Sequence, residues 1–148
     1  MSRRIRTLAL FGALSAALTV RAEAKCPSTV YEVVRKTYPS SKVSQCKEET
    51  EEGKLQYEVK LTTRESRALE LDVSPEGVVL QTEEVVAVAA VPSAVIFTFK
   101  AKYPDATVAR AEKQTKNNGS VTYEFAFQKK GMKHEATFKQ DGTFSTEE

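Results

Sequence analysis

The sequence contains a single histidine, His134, and only two cysteines, Cys26 and Cys46. Two thiols and one distant imidazole fall short of the four ligands that a structural zinc site needs. No serine, cysteine or aspartate stands at a spacing from His134 that suggests a nucleophile with its general base. The sequence therefore predicts no catalytic residue, no metal site and no cofactor, and it argues against an enzyme.

Long apolar runs are also missing from the sequence. The longest such stretch, residues 8–20, is shorter than the roughly 20 apolar residues of a membrane-spanning helix. It follows three arginines within residues 3–6 and precedes the small residues at 22–24, a pattern typical of a cleaved export signal. We expect residues 1–24 to be removed, by the general secretory or the twin-arginine route. The mature protein is then periplasmic or secreted, without membrane attachment.

An excess of positive charge is missing outside that segment. The whole chain has a formal net charge of +2, whereas residues 1–24 contain four arginines and one glutamate, a net charge of +3. The remaining residues therefore have a net charge of −1. Such a chain gives no reason to expect nucleic acid or an anionic membrane surface as a partner.

Export would place both cysteines in an oxidising compartment, where a pair more often forms a disulfide than a redox or metal site. A helix and a strand are predicted to run in opposite directions away from Tyr38-Pro39. Their rises per residue bring Cys26 and Cys46 to comparable distances from that turn. We therefore expect a Cys26–Cys46 disulfide.

The sequence repeats itself at an interval of about 65 residues, which indicates two copies of one supersecondary unit. The matching landmarks are Tyr-Pro at 38–39 and 103–104, Tyr-Glu at 57–58 and 123–124, and the turn glycines Gly77 and Gly142. We expect residues 25–84 to form repeat 1, residues 85–91 an apolar linker, and residues 92–148 repeat 2.

Each repeat is predicted to be an α+β unit with one helix packed on a four-stranded antiparallel meander sheet. Alternating apolar and polar residues give the sheet one face covered by the helix and one face open to solvent. The sequence leaves the arrangement of the two sheets open. Because Phe97 replaces Glu32, we expect the second helix to contact repeat 1 or a partner besides its own sheet. The apolar linker is expected to be docked.

A known family shares this pattern. The segments "TYPSSKV" and "KYPDATV", the strands "QYEVKL" and "TYEFAF", and the turns "PEG" and "QDG" resemble the PepSY-like repeats of exported bacterial proteins. The resemblance covers nearly all of residues 27–148 and implies a fold similar to that of β-lactamase inhibitors. It also implies a binding or inhibitory module, in some cases beside a peptidase, and it carries over no catalytic residue.

Two functional hypotheses remain. The first is a non-enzymatic module that binds a protein or peptide through the polar sheet face and the hairpin tips. The second is a small-ligand carrier with a pocket between helix and sheet or between the repeats. The acidic run at 47–54 fits either a solvated turn or a contact patch for a basic partner. The candidate partner-contact residues are Glu58, Lys60, Glu70, Glu124 and His134.

Each of these candidates also has a purely structural interpretation. A glutamate or lysine on the open face of a sheet is usually solvated. His134 falls in the same strand phase as Ala136 and Phe138, which suggests a partly buried strand histidine that faces the core. The sequence does not indicate the oligomeric state.

Overall fold

The computed structural model describes residues 26–147, which form one antiparallel sheet and two α-helices. The predicted export signal, residues 1–24, lies outside the described residues. The first half contains α1 (Ser28–Thr37), β1 (Lys42–Glu51), β2 (Lys54–Thr62), β3 (Ala68–Val73) and β4 (Val79–Val86). A short 3-10 helix, Val88–Ala90, leads to the second half, which contains α2 (Ser93–Lys102), β5 (Thr107–Lys116), β6 (Val121–Lys129), β7 (Met132–Lys139) and β8 (Phe144–Glu147).

All eight strands belong to a single sheet in which each strand pairs with the next one along the chain. Strand β4 pairs with β5 from Gln81 opposite Lys116 to Val86 opposite Ala111. The two halves are therefore joined edge to edge, a point that the sequence leaves open. Strands β1 and β8 form the two edges of the sheet.

The two helices begin and end in the same way. Pro27 and Pro92 directly precede the first helical residues, where the fixed φ of proline suits the helix and its missing N–H is not needed. Each helix ends before the tyrosine of a Tyr-Pro pair, Tyr38 or Tyr103. The residue before a proline is sterically disfavoured in the α region, which stops the helix at that point.

Each helix covers one half of the same sheet face, and this produces two separate apolar cores. In the first core, Val30 and Val34 of α1 cluster with apolar residues of β2 and β3. The second core is richer in aromatic rings. The centroid of the Phe99 ring in α2 lies 4.5 Å from the ring centroid of Phe125 and 5.2 Å from that of Phe127. The α+β class is confirmed, with two helices on one antiparallel sheet.

Of the two contacts expected for the second face of α2, repeat 1 or a partner, the structure rules out repeat 1 for Phe97. Phe97 is 76% exposed. Val95 and Phe99 lie one helical turn apart and pack on the sheet, so Phe97, midway between them, faces away from it. Residues 26–147 therefore do not cover this side chain.

The expectation of a docked linker holds for only some of its residues. Strand β4 continues to Val86 because it pairs with β5. Side chains alternate along a strand, so Val86 packs against the second core while Val85 is 51% exposed. Beyond the strand, Val91 is buried and Val88 is 43% exposed.

A disulfide joins Cys26 and Cys46, whose Cα atoms are 5.9 Å apart. Cys26 lies two residues before the first residue of α1, and Cys46 lies in the edge strand β1. The bond therefore ties the start of the helix to the edge of the sheet. Val91 and Ala111, both buried, stand at the equivalent positions of the second half.

In each half, the turn between the last two strands comes close to the first turn of the helix at a glycine. A Cβ atom on Gly142 would lie 2.7 Å from the carbonyl oxygen of Ala94, and one on Gly77 would lie 3.2 Å from that of Thr29. Both glycines have φ above +80°, a region that other residues rarely adopt. The two halves repeat the same close approach between a turn and the first turn of a helix.

Removal of the disulfide should destabilise the protein. We expect the variant Cys26→Ala/Cys46→Ala to lose about 3 kcal/mol of unfolding free energy, because the bond closes a loop of 20 residues in the unfolded chain. Urea denaturation followed by circular dichroism measures the loss, and reduced wild-type protein is the control. Equal midpoints for oxidised and reduced wild type would contradict the expectation.

Two substitutions separate the stability lost through the close contact at Gly142 from the stability lost through positive φ alone. Gly119 also has a positive φ, +82°, but a Cβ there would meet no atom within 4 Å. We expect Gly119→Ala to cost about 1 kcal/mol and Gly142→Ala at least about 2 kcal/mol, since the latter adds a backbone clash. Thermal denaturation compares the two variants, and equal losses would show that the contact with Ala94 is unimportant.

Candidate functional site on the open face of the sheet

The candidate functional site is the sheet face that points away from both helices, which we call the open face. Side chains alternate between the two faces of a strand. In β2, Tyr57 and Val59 are buried beneath α1, so Glu58 and Lys60 belong to the open face. The strand register extends this assignment across the sheet, from β1 to β8.

Carboxylates dominate the middle of the open face. Each strand from β1 to β7 contributes at least one of them, and the complete set is Glu49, Glu51, Glu58, Glu70, Asp72, Glu83, Glu112, Glu124 and Glu135. Lysines are also present, but many stand at the first or last residue of a strand, namely Lys42, Lys54, Lys116 and Lys139. The negative charge is therefore concentrated at the centre of the face.

The register places carboxylates directly opposite one another in adjacent strands. Like charges in such positions repel and destabilise a sheet. The three opposed pairs are Glu58 with Asp72, Glu70 with Glu83, and Glu112 with Glu124. Two of these pairs lie in the first half and one in the second; at the junction, Glu83 is opposite Gln114 and Glu112 is opposite Val85.

This crowding changes the acidity of the central carboxyl groups. The pKa of Asp72 is raised to about 7, mainly by partial burial and then by the negative charges around it, that of Glu49 first. The pKa of Glu83 is also raised to about 7, mainly by burial and then by the charge of Glu112, against a hydrogen bond from Gln81 that lowers it. Near neutral pH, both groups are therefore poised between the charged and the neutral form.

Three cations offset part of the repulsion. The Nζ of Lys47 lies 3.5 Å from Oε2 of Glu49. The Nζ of Lys60 lies 3.0 Å from Oε2 of Glu70 and 3.4 Å from Oε1 of Glu58. The hydrogen bond with Glu70 raises the pKa of Lys60, and the ammonium is retained. In the second half, Nη2 of Arg110 lies 3.3 Å from Oε2 of Glu112.

The carboxylate of Glu124 in β6 accepts hydrogen bonds from two neutral side chains. The side-chain amide of Gln114 donates a hydrogen bond of 3.2 Å to Oε2 of Glu124, and the hydroxyl of Thr137 donates a longer one of 3.5 Å. The pKa of Glu124 is raised, mainly by burial and then by the charges of Glu135 and Glu112.

Four of the five candidate residues from the sequence lie on the open face. Glu58, Lys60 and Glu70 form one ion-pair group in the first half, and Glu124 lies in the second half. Sequence reasoning missed Asp72, Glu83 and Glu112. Alternation along a strand places Asp72 on the same face as Glu70, but only the register reveals which carboxylates oppose one another.

The fifth candidate, His134, lies on the helix-covered side of β7. Its ring stacks on that of Phe127 at 5.5 Å between centroids, and its Nδ1 lies 3.6 Å from Oε1 of Glu147. The other oxygen of that carboxylate accepts a hydrogen bond of 2.8 Å from the hydroxyl of Tyr103. His134 is therefore not part of the open face.

Residues 26–147 give no indication of a membrane-spanning helix or of a metal site. None of the helices in this range is long and apolar enough to cross a membrane. The same range contains no group of three or more His, Cys, Asp or Glu side chains arranged to hold a metal ion.

Several solved structures of Bacteroides proteins have the same fold. A Bacteroides eggerthii protein described as "putative periplasmic" is 16% identical and has a TM-score of 0.70, over 83% of this chain and 88% of the other. A BLIP-like protein of Bacteroides fragilis is 17% identical with a TM-score of 0.61, over 82% of this chain and 84% of the other. At these identities the likeness establishes the fold alone.

A protein of the DUF2874 family from Bacteroides uniformis is similar too. Its TM-score is 0.68 at 14% identity, over 82% of this chain and 88% of the other. No curated protein matches the sequence.

Sequence comparison with known families gives a direct assignment. The family model described as "Putative beta-lactamase-inhibitor-like, PepSY-like" matches residues 17–81 and again residues 79–146. The two matches adjoin near the start of β4, in keeping with the internal repeat. Together they include most of the sequence, and the chain therefore belongs to the PepSY-like family.

Proposed function

We propose that this protein is an exported, non-enzymatic binding module that holds a protein partner against its open face through a cationic segment of that partner. The observation that carries the proposal is the set of opposed carboxylate pairs. Such pairs destabilise the free sheet, and lysine or arginine side chains of a partner would relieve the repulsion. Complementary charge of this kind chiefly increases association rate and specificity.

The dimensions of the open face suit an extended segment. Strands in a sheet are about 4.8 Å apart, so eight strands span roughly 34 Å. An extended chain advances about 3.3 Å per residue, and about ten residues would cross the face. A segment of that length can contact carboxylates of both halves, because the face is continuous across β4 and β5.

The organisation of the chain supports a surface-based role. We propose that each repeat consists of one helix and four strands, repeat 1 within residues 25–84 and repeat 2 within 92–148, joined by residues 85–91. Both helices lie on one side of the sheet and leave the other side free for a partner. The carboxylates of this free side come from both repeats.

The similar proteins are consistent with this proposal. One is described as BLIP-like and another as "putative periplasmic", and the family description refers to inhibitor likeness. We therefore place the protein in the periplasm or outside the cell after removal of an N-terminal signal. Inhibition of the bound partner, such as a peptidase, is one form that its binding could take.

The small-ligand carrier is the weaker alternative. A carrier needs a cavity between helix and sheet. In the second half, the ring of Phe99 contacts those of Phe125, Phe127 and Phe138 at centroid distances of 4.5 to 6.1 Å. These rings fill the centre of the space between α2 and the sheet, and an open cleft of about 390 Å³ remains beside them, lined by Val88, Ile96 and Tyr103 among others.

Proton binding by the open face should make stability depend on pH. The pKa values of Asp72 and Glu83 are raised to about 7 in the folded protein. The folded state therefore holds more protons than the unfolded chain between about pH 4 and pH 7, and the unfolding free energy falls as the pH rises through this window. At about pH 8, Asp72→Asn/Glu83→Gln should be more stable than wild type by about 1 kcal/mol, allowing for solvent screening.

Urea denaturation at about pH 5 and about pH 8 tests this expectation. The double variant should lose less stability than wild type between the two pH values. Glu32→Gln, on the exposed side of α1, is the matched control and should behave as wild type. An identical pH dependence for wild type and the double variant would contradict the proposed repulsion.

The proposed function predicts binding of cationic segments. The probe is a capped peptide of about ten residues in which lysine alternates with serine. Fluorescence anisotropy at low salt should show binding that weakens as salt is added, because screening reduces attraction between exposed charges. Asp72→Asn/Glu83→Gln should weaken binding about fivefold, the upper range for one exposed ion pair.

Two controls accompany the binding measurement. Glu32→Gln should bind as wild type does, and a peptide with norleucine in place of lysine should not bind. Failure of wild type to bind the lysine peptide, or equal binding by the double variant, would refute a cationic partner on the open face.

A further inference from the structure

The outer side of α2 carries a large apolar side chain that residues 26–147 leave uncovered. Phe97 is 76% exposed and faces away from the sheet. Its neighbours on the adjacent helical turns, Ala94 and Ala101, are also apolar and exposed. A helix that is apolar on all sides usually has a second neighbour besides its own sheet. At the equivalent position of α1 the chain has the exposed residue Glu32, so only the second half presents an apolar group here.

A second exposed apolar side chain lies at the tip of the β6–β7 hairpin. Met132 is 61% exposed and stands opposite Lys129 in the strand register. Because side chains alternate along β6 and Phe127 is in the core, Lys129 and Met132 lie on the helix-covered side of the sheet, as Phe97 does. The equivalent residue of the first half is Arg67, which is paired with a glutamate at 3.1 Å.

Lysines connect these two apolar side chains into one surface. The ammonium groups of Lys102, at the end of α2, and Lys129, at the end of β6, lie 5.5 and 5.3 Å from the centroid of the Tyr103 ring. The end of the helix and the hairpin are therefore adjacent. Two further lysines are exposed beside them, one a helical turn after Phe97 and one in the hairpin turn. We call this surface the basic patch, and its residues are Phe97, Lys100, Lys102, Lys129, Lys130 and Met132.

The charge of the basic patch is not neutralised within the part of the chain that the structure describes. None of its four lysines forms an ion pair with a carboxylate of residues 26–147. Two acidic groups lie beside the patch, Asp105 after the end of α2 and Glu147, which accepts the hydrogen bond of Tyr103. They leave an excess of positive charge. The net charge of the mature chain therefore hides a separation of charge, with lysines on the helix-covered side and carboxylates on the open face.

We propose that the basic patch docks the protein on the surface of a bilayer that contains anionic lipid. Lysines near such a surface are attracted to the head groups, and apolar side chains among them enter the boundary between head groups and acyl chains. The basic patch offers both kinds of group. Docking of this kind leaves the open face on the far side of the sheet, where the partner of the proposed function has access to it.

The distribution of the apolar side chains favours a bilayer over an acidic protein. A protein–protein interface has an apolar centre that is depleted of charged residues, and its charges lie at the rim. In the basic patch, Phe97 and Met132 lie on different elements with lysines between them. A lipid surface accommodates separate apolar side chains, because each one enters the bilayer independently of the others.

Co-sedimentation of the mature protein with vesicles tests the proposal. Vesicles of phosphatidylcholine with about 30% phosphatidylglycerol should bind the protein, and vesicles of phosphatidylcholine alone should bind it at least about tenfold more weakly. Added salt should weaken the binding, because screening reduces the attraction between exposed charges. Lys100→Gln/Lys130→Gln should weaken binding to the anionic vesicles about 25-fold, which is about fivefold for each lysine. Phe97→Ser should weaken it about tenfold.

The first half provides a matched control for each variant. Arg35→Gln/Lys36→Gln removes two positive charges from the exposed last turn of α1 and should bind the vesicles as wild type does. Leu55→Ser removes an apolar side chain that is 42% exposed and should also leave binding unchanged. All of the substituted side chains are exposed, and circular dichroism verifies that each variant is folded.

Several outcomes would overturn membrane docking. These are no binding of wild type to the anionic vesicles, equal binding with and without phosphatidylglycerol, or equal losses in the patch variants and their controls. Displacement by inorganic phosphate at matched ionic strength would assign the basic patch to a soluble anion. Binding of polyglutamate without binding of vesicles would assign it to an acidic protein.

The inference and the proposed function fail separately. The two surfaces lie on opposite sides of the sheet, so the patch variants should bind the alternating lysine–serine peptide as wild type does. Loss of vesicle binding with normal peptide binding concerns the basic patch alone. Absence of peptide binding with normal vesicle binding refutes the cationic partner and leaves membrane docking intact.

Discussion

The pairing of β4 with β5 is the contact on which both the fold and the candidate site depend. Each half has about 60 residues, a size at which a single apolar core gives only marginal stability. Pairing from Gln81 opposite Lys116 to Val86 opposite Ala111 merges the two sheets. It also turns two strands that would be exposed edges into interior strands, and exposed edges favour aggregation.

The same pairing determines what the open face can do. It brings Glu83 of the first half near Glu112 of the second, and the charge of Glu112 contributes to the raised pKa of Glu83. The carboxylates of two modest sheets thereby become one acidic surface. The two apolar cores on the helix-covered face stabilise the fold and offset this repulsion.

The two halves share the same order of helix and strands but differ in the charged side chains on the open face. The first half pairs Glu58 and Glu70 with Lys60, and the Cys26–Cys46 disulfide ties its helix to the edge of the sheet. The second half has Ala126 at the equivalent position, opposite Arg110, and a core of tilted and edge-to-face aromatic rings instead of a disulfide. The fold alone does not determine a function, so these differences in side chains carry the functional argument.

The sequence by itself determined the repeat, the two helices, the strand phases and the cysteine pair, because these depend on local spacing and on the order of residues. It also placed Glu58, Lys60, Glu70 and Glu124 on the polar face, since side chains alternate along a strand. Only the tertiary structure decided how β4 meets β5, which carboxylates stand opposite each other, and that Phe97 remains exposed. These features depend on register and on contacts between residues far apart in the chain, which periodicity within one segment does not contain.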